Sequence, residues 1–362
     1  MRMPFMQRAF DLARQAAGGV SPRPPVGAVI VREGRIVGEG HTDARPGPHA
    51  EVAALTAARG HALGATMYVT LEPHAHQGVA LPCTEAILAA GISRVVCPIE
   101  DPNPLVSGNG FRQLRSNRVD VVVGGSPDEL RTATELVEGF RKWVTTRRPF
   151  VIAKFAISLD GKIATRTGDS QWISGELSRQ YAHRLRAASD AVMVGIGTVL
   201  KDDPLLTARG DGAPPGRPKL RVVIDTRGRM PANARLLSES GNILWLRGDG
   251  ATTKIGRPGL EAVDLSVRDG KVDLEAVMGL LGQREVCNVM VEGGGTLLGA
   301  MFDYHLIDKI EAFVAPVLVG GTSSPGPIGG EGVEKVADAL RLDRVRMTPL
   351  GEDMLVRGYV KK

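Results

Sequence analysis

A chain of 362 residues has room for two domains at roughly 150 residues each, both large enough to bury a core. Hydrophobic residues at 43% and charged residues at 23% match ordinary globular composition, and no apolar run approaches the ~18 residues of a membrane span. Aromatics at 4% argue against stacking platforms for nucleic acid, whereas 45 basic against 40 acidic residues, net +5, suit phosphorylated small molecules.

In chain order, Met6, Phe10, Ala13 and Ala17 stand at steps of four, three and four, which predicts an amphipathic helix over 3–18 closed by Gly18-Gly19. Arg8, Asp11 and Arg14 interrupt it and exclude an export signal. Val26 to Val31, the turn Glu33-Gly34 and Arg35 to Glu39 predict a hairpin. There follow a helix from Ala50 to Ala58, a strand from Thr66 to Leu71 and a helix from Thr84 to Ala90. A strand from Arg94 to Ile99, a short helix from Phe111 to Ser116 and a strand from Val119 to Val123 complete an α/β layer fold. One helix over 126–142 and a basic connector, Trp143 to Pro149, place the boundary between domains 1–146 and 147–362.

Beyond it, strands are expected at 150–157, Ala191–Gly195, Arg221–Asp225, Ile243–Leu246, Val286–Val291 and Lys309–Ala315, with a helix from Ser174 to Ala188. The end of the chain, 343–360, predicts an antiparallel hairpin turning near Gly351, and Gly320 to Gly332 a mobile loop. Cys83, Cys97 and Cys287 are too few and too scattered for a disulfide framework, so the expected address is the cytoplasm.

Three segments carry polar residues of one chemical kind: Pro48-His49-Ala50-Glu51, Leu71-Glu72-Pro73-His74-Ala75-His76 and Leu81-Pro82-Cys83. Hydrolytic deamination of an aminopyrimidine needs a hydroxide at neutral pH and a group that carries its proton to the leaving ammonia. A zinc ion on three protein ligands supplies the first, and a carboxylate two residues from one ligand supplies the second. An H-x-E followed by a proline-introduced ligand pair is the zinc-deaminase signature. His49 and Cys83 each stand at a predicted helix start, where the helix dipole favours a thiolate. Taken singly they are an ordinary helix start and a buried small residue; their order and placement point to metal chemistry.

Four stretches of the first domain stand out as motifs: Val26-Gly27-Ala28-Val29-Ile30-Val31, Pro48-His49-Ala50-Glu51, Thr70-Leu71-Glu72-Pro73 and Asp101-Pro102-Asn103-Pro104. The second domain adds Lys154-Phe155-Ala156-Ile157-Ser158-Leu159-Asp160-Gly161-Lys162, Ser170-Gln171-Trp172-Ile173, Gly197-Thr198-Val199-Leu200-Lys201-Asp202-Asp203-Pro204 and Val291-Glu292-Gly293-Gly294-Gly295-Thr296. With these motifs the chain resembles, over essentially its full length, the bifunctional deaminase-reductase family of riboflavin biosynthesis. The resemblance implies an α/β protein with an N-terminal cytidine-deaminase-like three-layer domain and a C-terminal dihydrofolate-reductase-like domain. It implies deamination of 2,5-diamino-6-(5-phosphoribosylamino)pyrimidin-4(3H)-one, then NADPH reduction of the ribosyl group to ribityl. The expected partners are a phosphorylated pyrimidine and further copies of the chain, with no nucleic acid and no membrane.

By the same resemblance His49 and Cys83 are zinc ligands and Glu51 is the proton shuttle. The chain departs from the family pattern at two positions. His74 stands where the family has cysteine after Leu-Glu-Pro, and Arg23 where it has asparagine in Ser-Pro-x-Pro. Histidine also binds zinc, so His74 is the expected third ligand, with His76 as substitute. A weakened or absent zinc site would leave a reductase with a degenerate first domain. Arg23 either pairs with a substrate phosphate or removes an amide contact to the pyrimidine.

In the second domain the glycine triplet follows a strand and opens a helical run, where backbone can approach a phosphate. It is not the GxGxxG of a dinucleotide-binding Rossmann turn. The resemblance implies NADPH contacts at Ala156, Trp172, Thr198, Asp202, Gly294, Gly295, Thr296, Leu297, Leu298, Gly299 and Ala300. It implies substrate contacts at Ser170, Arg186, Leu206, Arg209 and Glu292. Arg186 and Arg209 offer the forked donors that phosphate recognition favours. Asp202 either takes part in proton transfer or, with Asp203-Pro204, forms an acidic turn capping a helix.

Overall fold

The computed structural model describes residues 5–76, 81–209 and 219–361, which divide into two compact units, Met1–Arg147 and Arg148–Lys362. In the first, helix α1 (Phe5–Ala16) precedes a hairpin of β1 (Gly27–Arg32) and β2 (Arg35–His41). Then come α2 (Ala50–Ala57), β3 (Thr66–Val69), α3 (Cys83–Ala89), β4 (Arg94–Cys97), α4 (Asn109–Ser116) and β5 (Asp120–Val123). The sheet order is β2-β1-β3-β4-β5, antiparallel up to β3 and parallel beyond it.

Alternation along β1 explains the layering, since successive side chains of a strand point to opposite faces. Val29 and Val31 pack with Met6, Phe10 and Leu12 of α1 on one face. Ala28 and Ile30 pack with Ala50 and Ala54 of α2, Ile87 of α3 and Leu114 of α4 on the other. The single helix expected over 126–142 is two, α5 (Pro127–Leu136) and α6 (Glu138–Thr146). A capping box of Ser126 and Glu129 starts α5, and the chain leaves helical geometry at Val137, whose side chain is buried in the core. Helix α6 runs on through Trp143 to Thr146, and Arg147, at φ 57, folds back so that its guanidinium lies 4.6 Å from the Trp143 ring centroid. The basic connector is therefore shorter than the sequence suggested.

The second unit contains β6 (Phe150–Ser158), α7 (Glu176–Ala188), β7 (Ala191–Gly195), α8 (Ile196–Asp202), β8 (Leu220–Asp225), β9 (Ile243–Gly248) and β10 (Leu260–Leu265). A small ribbon of β11 (Val267–Arg268) and β12 (Lys271–Val272) leads to α9 (Leu274–Gln283), β13 (Asn288–Val291), α10 (Gly295–Asp303), β14 (Lys309–Ala315), β15 (Leu342–Leu350) and β16 (Asp353–Val360). The nine-stranded sheet has the order β10-β9-β8-β7-β13-β6-β14-β16-β15. It is parallel from β10 to β14, and the terminal hairpin adds two antiparallel strands. Helices α9 and α10 cover one face through Val277, Leu281, Leu298 and Met301. On the other face, Ile196 and Val199 of α8 pack on Val192, Val194 and Trp245, and Ala182 of α7 packs on Phe313.

The segment Gly320–Gly332, expected as a mobile loop, is irregular and is tied down at several points. Asp160 accepts N–H bonds from Val319 (3.0 Å) and Gly320 (2.7 Å), Gly329 donates to the Gly295 carbonyl (2.9 Å), and Asp303 accepts from Glu331 (3.0 Å). No helix of the described residues is long and apolar enough to cross a membrane.

Candidate active sites

In the first unit, His49 is the N-cap of α2 and Cys83 the first residue of α3, directly after the N-cap Pro82. The third segment reaches them from the end of β3. Its course is set by Glu72, which is buried and accepts four backbone N–H groups: Asp101 (3.0 Å), Gly108 (2.9 Å), Gly110 (2.8 Å) and Phe111 (3.3 Å). A Cβ at Gly110 would stand 1.9 Å from the Pro73 carbonyl oxygen, so only glycine lets α4 dock there. His74 is the next residue.

The result is a convergence of donors. Cys83 Sγ lies 3.5 Å from His49 Nδ1, the His49 and His74 ring centroids are 4.5 Å apart, and one ligand atom from each of His49, His74 and Cys83 falls within 4.8 Å of the others. His76 stacks edge-on to His74 at 5.2 Å and lies outside that group. His74 Nδ1 is buried without a protein partner. Burial, then neighbouring cationic groups, holds His49 and His74 down at about 4, so both imidazoles are neutral near pH 7, the form that binds metal. Two neutral imidazoles, one of them with a buried nitrogen lacking a protein partner, and a thiol form a three-residue donor set that fits zinc.

Glu51 is buried, and burial pushes its carboxyl up to about 6 while it hydrogen-bonds Cys83. Burial and Glu51 likewise push the Cys83 thiol up, outweighing the helix-start effect expected from the sequence. Arg23 Nη1 donates to the carbonyls of Asp43 (3.0 Å) and Gly47 (2.7 Å), bracing the loop just before Pro48-His49.

In the second unit, Glu292 and Gly294 follow the C-terminal end of β13 and Thr198 follows that of β7, the kind of sheet edge at which open α/β sheets bind ligands. Glu292, just past β13, receives both arms of the Arg186 guanidinium; Nη2 to Oε2 is 2.7 Å. Lys154 Nζ on β6 is 3.9 Å from the same carboxylate. Burial alone would raise the Glu292 carboxyl, but Arg186 and then Lys154 outweigh it and hold it at about 2. Arg209 is exposed, and its backbone N–H donates to His183 Nδ1 at 3.2 Å.

The glycine turn divides into two roles. Gly294 is the N-cap of α10, and a Cβ there would meet only Thr198 Oγ1, at 3.8 Å, so the turn keeps an open backbone cradle next to Thr198 that suits a cofactor phosphate. Gly295 and Gly299 instead admit the Gly320–Gly332 strap: a Cβ on Gly299 would be 2.2 Å from the Gly329 carbonyl carbon. Leu297 and Leu298 are buried in the core, as is Leu206 at φ 56, and the backbone N–H groups of Leu297 and Leu298 both donate to the Gly294 carbonyl at the start of α10. Trp172 is 71% exposed and lines a cleft of about 520 Å³ with Ser174, Arg179, Ala315 and Asp353. Ser170 and Ala156 are half-buried. Asp202 is the last residue of α8, its carboxyl raised by partial burial, and Asp203 accepts the Arg235 N–H at 2.7 Å.

Glu72 and Lys154 lie within quoted motifs and His183 within the expected helix Ser174–Ala188, yet nothing in the sequence alone gives them a role. Their partners are distant in sequence, and no local pattern announces them.

Residues 2–99 match the family described as the cytidine and deoxycytidylate deaminase zinc-binding region, and residues 149–356 match the RibD C-terminal domain. The riboflavin biosynthesis protein RibD of Aquifex aeolicus is 39% identical over 355 residues, covering 97% of this chain and 96% of that protein. The Escherichia coli protein of the same name is 37% identical over 363 residues, with 97% of each chain covered. Among solved structures, Acinetobacter baumannii RibD superposes with a TM-score of 0.84 at 34% identity, covering 99% of this chain and 98% of that one. A Thermotoga maritima diaminohydroxyphosphoribosylaminopyrimidine deaminase/5-amino-6-(5-phosphoribosylamino)uracil reductase gives 0.84 at 35% identity, with the same coverage.

Proposed function

The chain belongs to the RibD family of bifunctional riboflavin-biosynthesis enzymes, a deaminase joined to a reductase, and from that premise we propose which of its residues carry each reaction. The observation that carries the first assignment is the convergence of His49, His74 and Cys83 beside the buried Glu51. Those three residues would hold the zinc of this deaminase, with His74 taking the place that the family gives to cysteine. Zinc, when bound, supplies the Lewis acidity that makes water nucleophilic near neutral pH. Glu51, buried beside Cys83 with its carboxyl near 6, would take a proton at the attacking oxygen and return it to the departing amine. Glu72 holds the His74 segment in place.

In the reductase, NADPH supplies the hydride when bound. The open Gly294 turn and Thr198 would bind its phosphates, with Trp172, Ala156 and Asp202 along its length and Gly295, Thr296, Leu297, Leu298, Gly299 and Ala300 shaping the turn. Ser170, Arg186, Leu206, Arg209 and Glu292 would surround the pyrimidine ribosyl phosphate. Since Arg186 is committed to Glu292, Arg209 is the cation assigned to the phosphate. The three cysteines are free and buried, which supports a reducing, cytoplasmic address. Exposed Val345 and Met347 on β15, the edge strand of the sheet, support self-association.

The first assignment is tested by zinc content after dialysis against a chelator, measured with ammonia release. Glu51→Gln should keep its zinc and lose ammonia release, whereas His74→Ala should lose both and His74→Cys retain both. A His74→Ala protein that holds zinc as firmly as wild type would remove His74 from the ligand set.

A further inference from the structure

His183 is a half-buried residue of α7 that no step above uses. Its Nδ1 accepts the backbone N–H of Arg209 at 3.2 Å, across 26 residues of sequence. Arg186 Nη1 lies 3.5 Å from the same nitrogen and donates to the Thr207 carbonyl at 3.3 Å. One ring nitrogen therefore gathers donors from both arginines near Glu292. Acceptance of the Arg209 N–H at Nδ1 requires the neutral tautomer with its hydrogen on Nε2.

We propose that His183 is a positioning residue of the reductase: by accepting the Arg209 N–H, it fixes the segment Thr207–Arg209 so that the Arg209 guanidinium meets the substrate's phosphate. This rests on the assignment of Arg209 to that phosphate. Arg186 is held by Glu292 through two donors, whereas Arg209 is exposed; among the described residues, its N–H bond to His183 and the Arg186 bond to the Thr207 carbonyl hold the segment. The ring's environment suits the role. Burial, then Arg186 and Arg209, lowers its pKa, keeping Nδ1 available as an acceptor at neutral pH. Preordering a charged donor matters because a loose one spends its contact energy on being immobilised.

The test compares Michaelis constants for 5-amino-6-(5-phosphoribosylamino)uracil and its dephosphorylated counterpart in the full-length protein. His183→Ala should raise KM for the phosphorylated substrate by about tenfold, the scale of one charge-assisted contact, with little change for the other and a smaller effect on kcat. His183→Asn places an amide oxygen near the Nδ1 position and should restore KM to within about threefold, whereas His183→Gln, whose acceptor lies farther out, should resemble alanine. Because both amide variants keep more of the side chain than alanine does, their contrast decides the matter even if the alanine variant fails to fold. Arg209→Ala should show the same phosphate selectivity, and adding His183→Ala to it should cost nothing further. If Arg209→Ala affects both substrates alike, the phosphate assignment falls and the positioning role with it. If Arg209→Ala is selective but the His183 variants are not, or if asparagine is no better than glutamine, the tether alone is wrong.

Discussion

Arg186 and Glu292 show how a single pair can hold a site together while limiting what it can bind. Both side chains are mostly buried, at 16% and 11% exposure, and the guanidinium faces the carboxylate with two donors. Arg186→Ala should therefore destabilise the reductase unit by on the order of 3 kcal/mol, because it strands a buried charge that Lys154, 3.9 Å away, only partly offsets. The pH dependence has a definite sign. The Glu292 carboxyl sits at about 2 in the folded protein, below its ordinary value of about 4.3. Its contribution is complete above about pH 4.3 and is lost as pH falls toward 2. Urea unfolding at pH 7 and pH 3 should show a large gap between wild type and variant at pH 7 and a smaller one at pH 3. An equal gap at both would mean that the ion pair is not what the arginine contributes.

Among the elements, the deaminase segments depend on Glu72 as a clamp. Glu72→Gln replaces one acceptor oxygen by a donor facing N–H groups, and each buried group left unpaired costs about 1–3 kcal/mol. The variant should lower the urea midpoint of the first unit and weaken zinc retention, while NADPH oxidation with deaminated substrate stays at the wild-type rate. Retained zinc and an unchanged midpoint would contradict the clamp. That residue also marks the limit of legibility. The β1–β2 hairpin, α2, α3 and the chain-end hairpin were readable because their periodicity and turn residues are local. Helix α8 has seven residues, too few for a period to emerge, and α9 is so uniformly apolar, LEAVMGLLGQ, that no face stands out. The break at Val137 is a tertiary effect, the burial of one side chain. Likewise, His49, Glu51 and Cys83 sit in a recognisable order, whereas Glu72, Lys154 and His183 acquire meaning only from partners such as Gly110, Glu292 and Arg209.

At the scale of the whole molecule, each unit carries its own sheet and its own buried clusters. A fragment beginning at Arg148 should therefore fold and oxidise NADPH with deaminated substrate, with no need of zinc. An insoluble fragment would show that the first unit completes the second. The central claim is that one chain performs both reactions in succession, and that the His49, His74 and Cys83 site is competent despite its departure from cysteine. The most direct measurement gives the zinc-loaded full-length protein only the diaminopyrimidine ribosyl phosphate and NADPH, and follows ammonia and NADPH together. One ammonia should be released for each NADPH oxidised. A chelator should abolish both signals, and deaminated substrate should then restore NADPH oxidation alone. NADPH oxidation that requires deaminated substrate from the outset, with no ammonia at any zinc concentration, would contradict it.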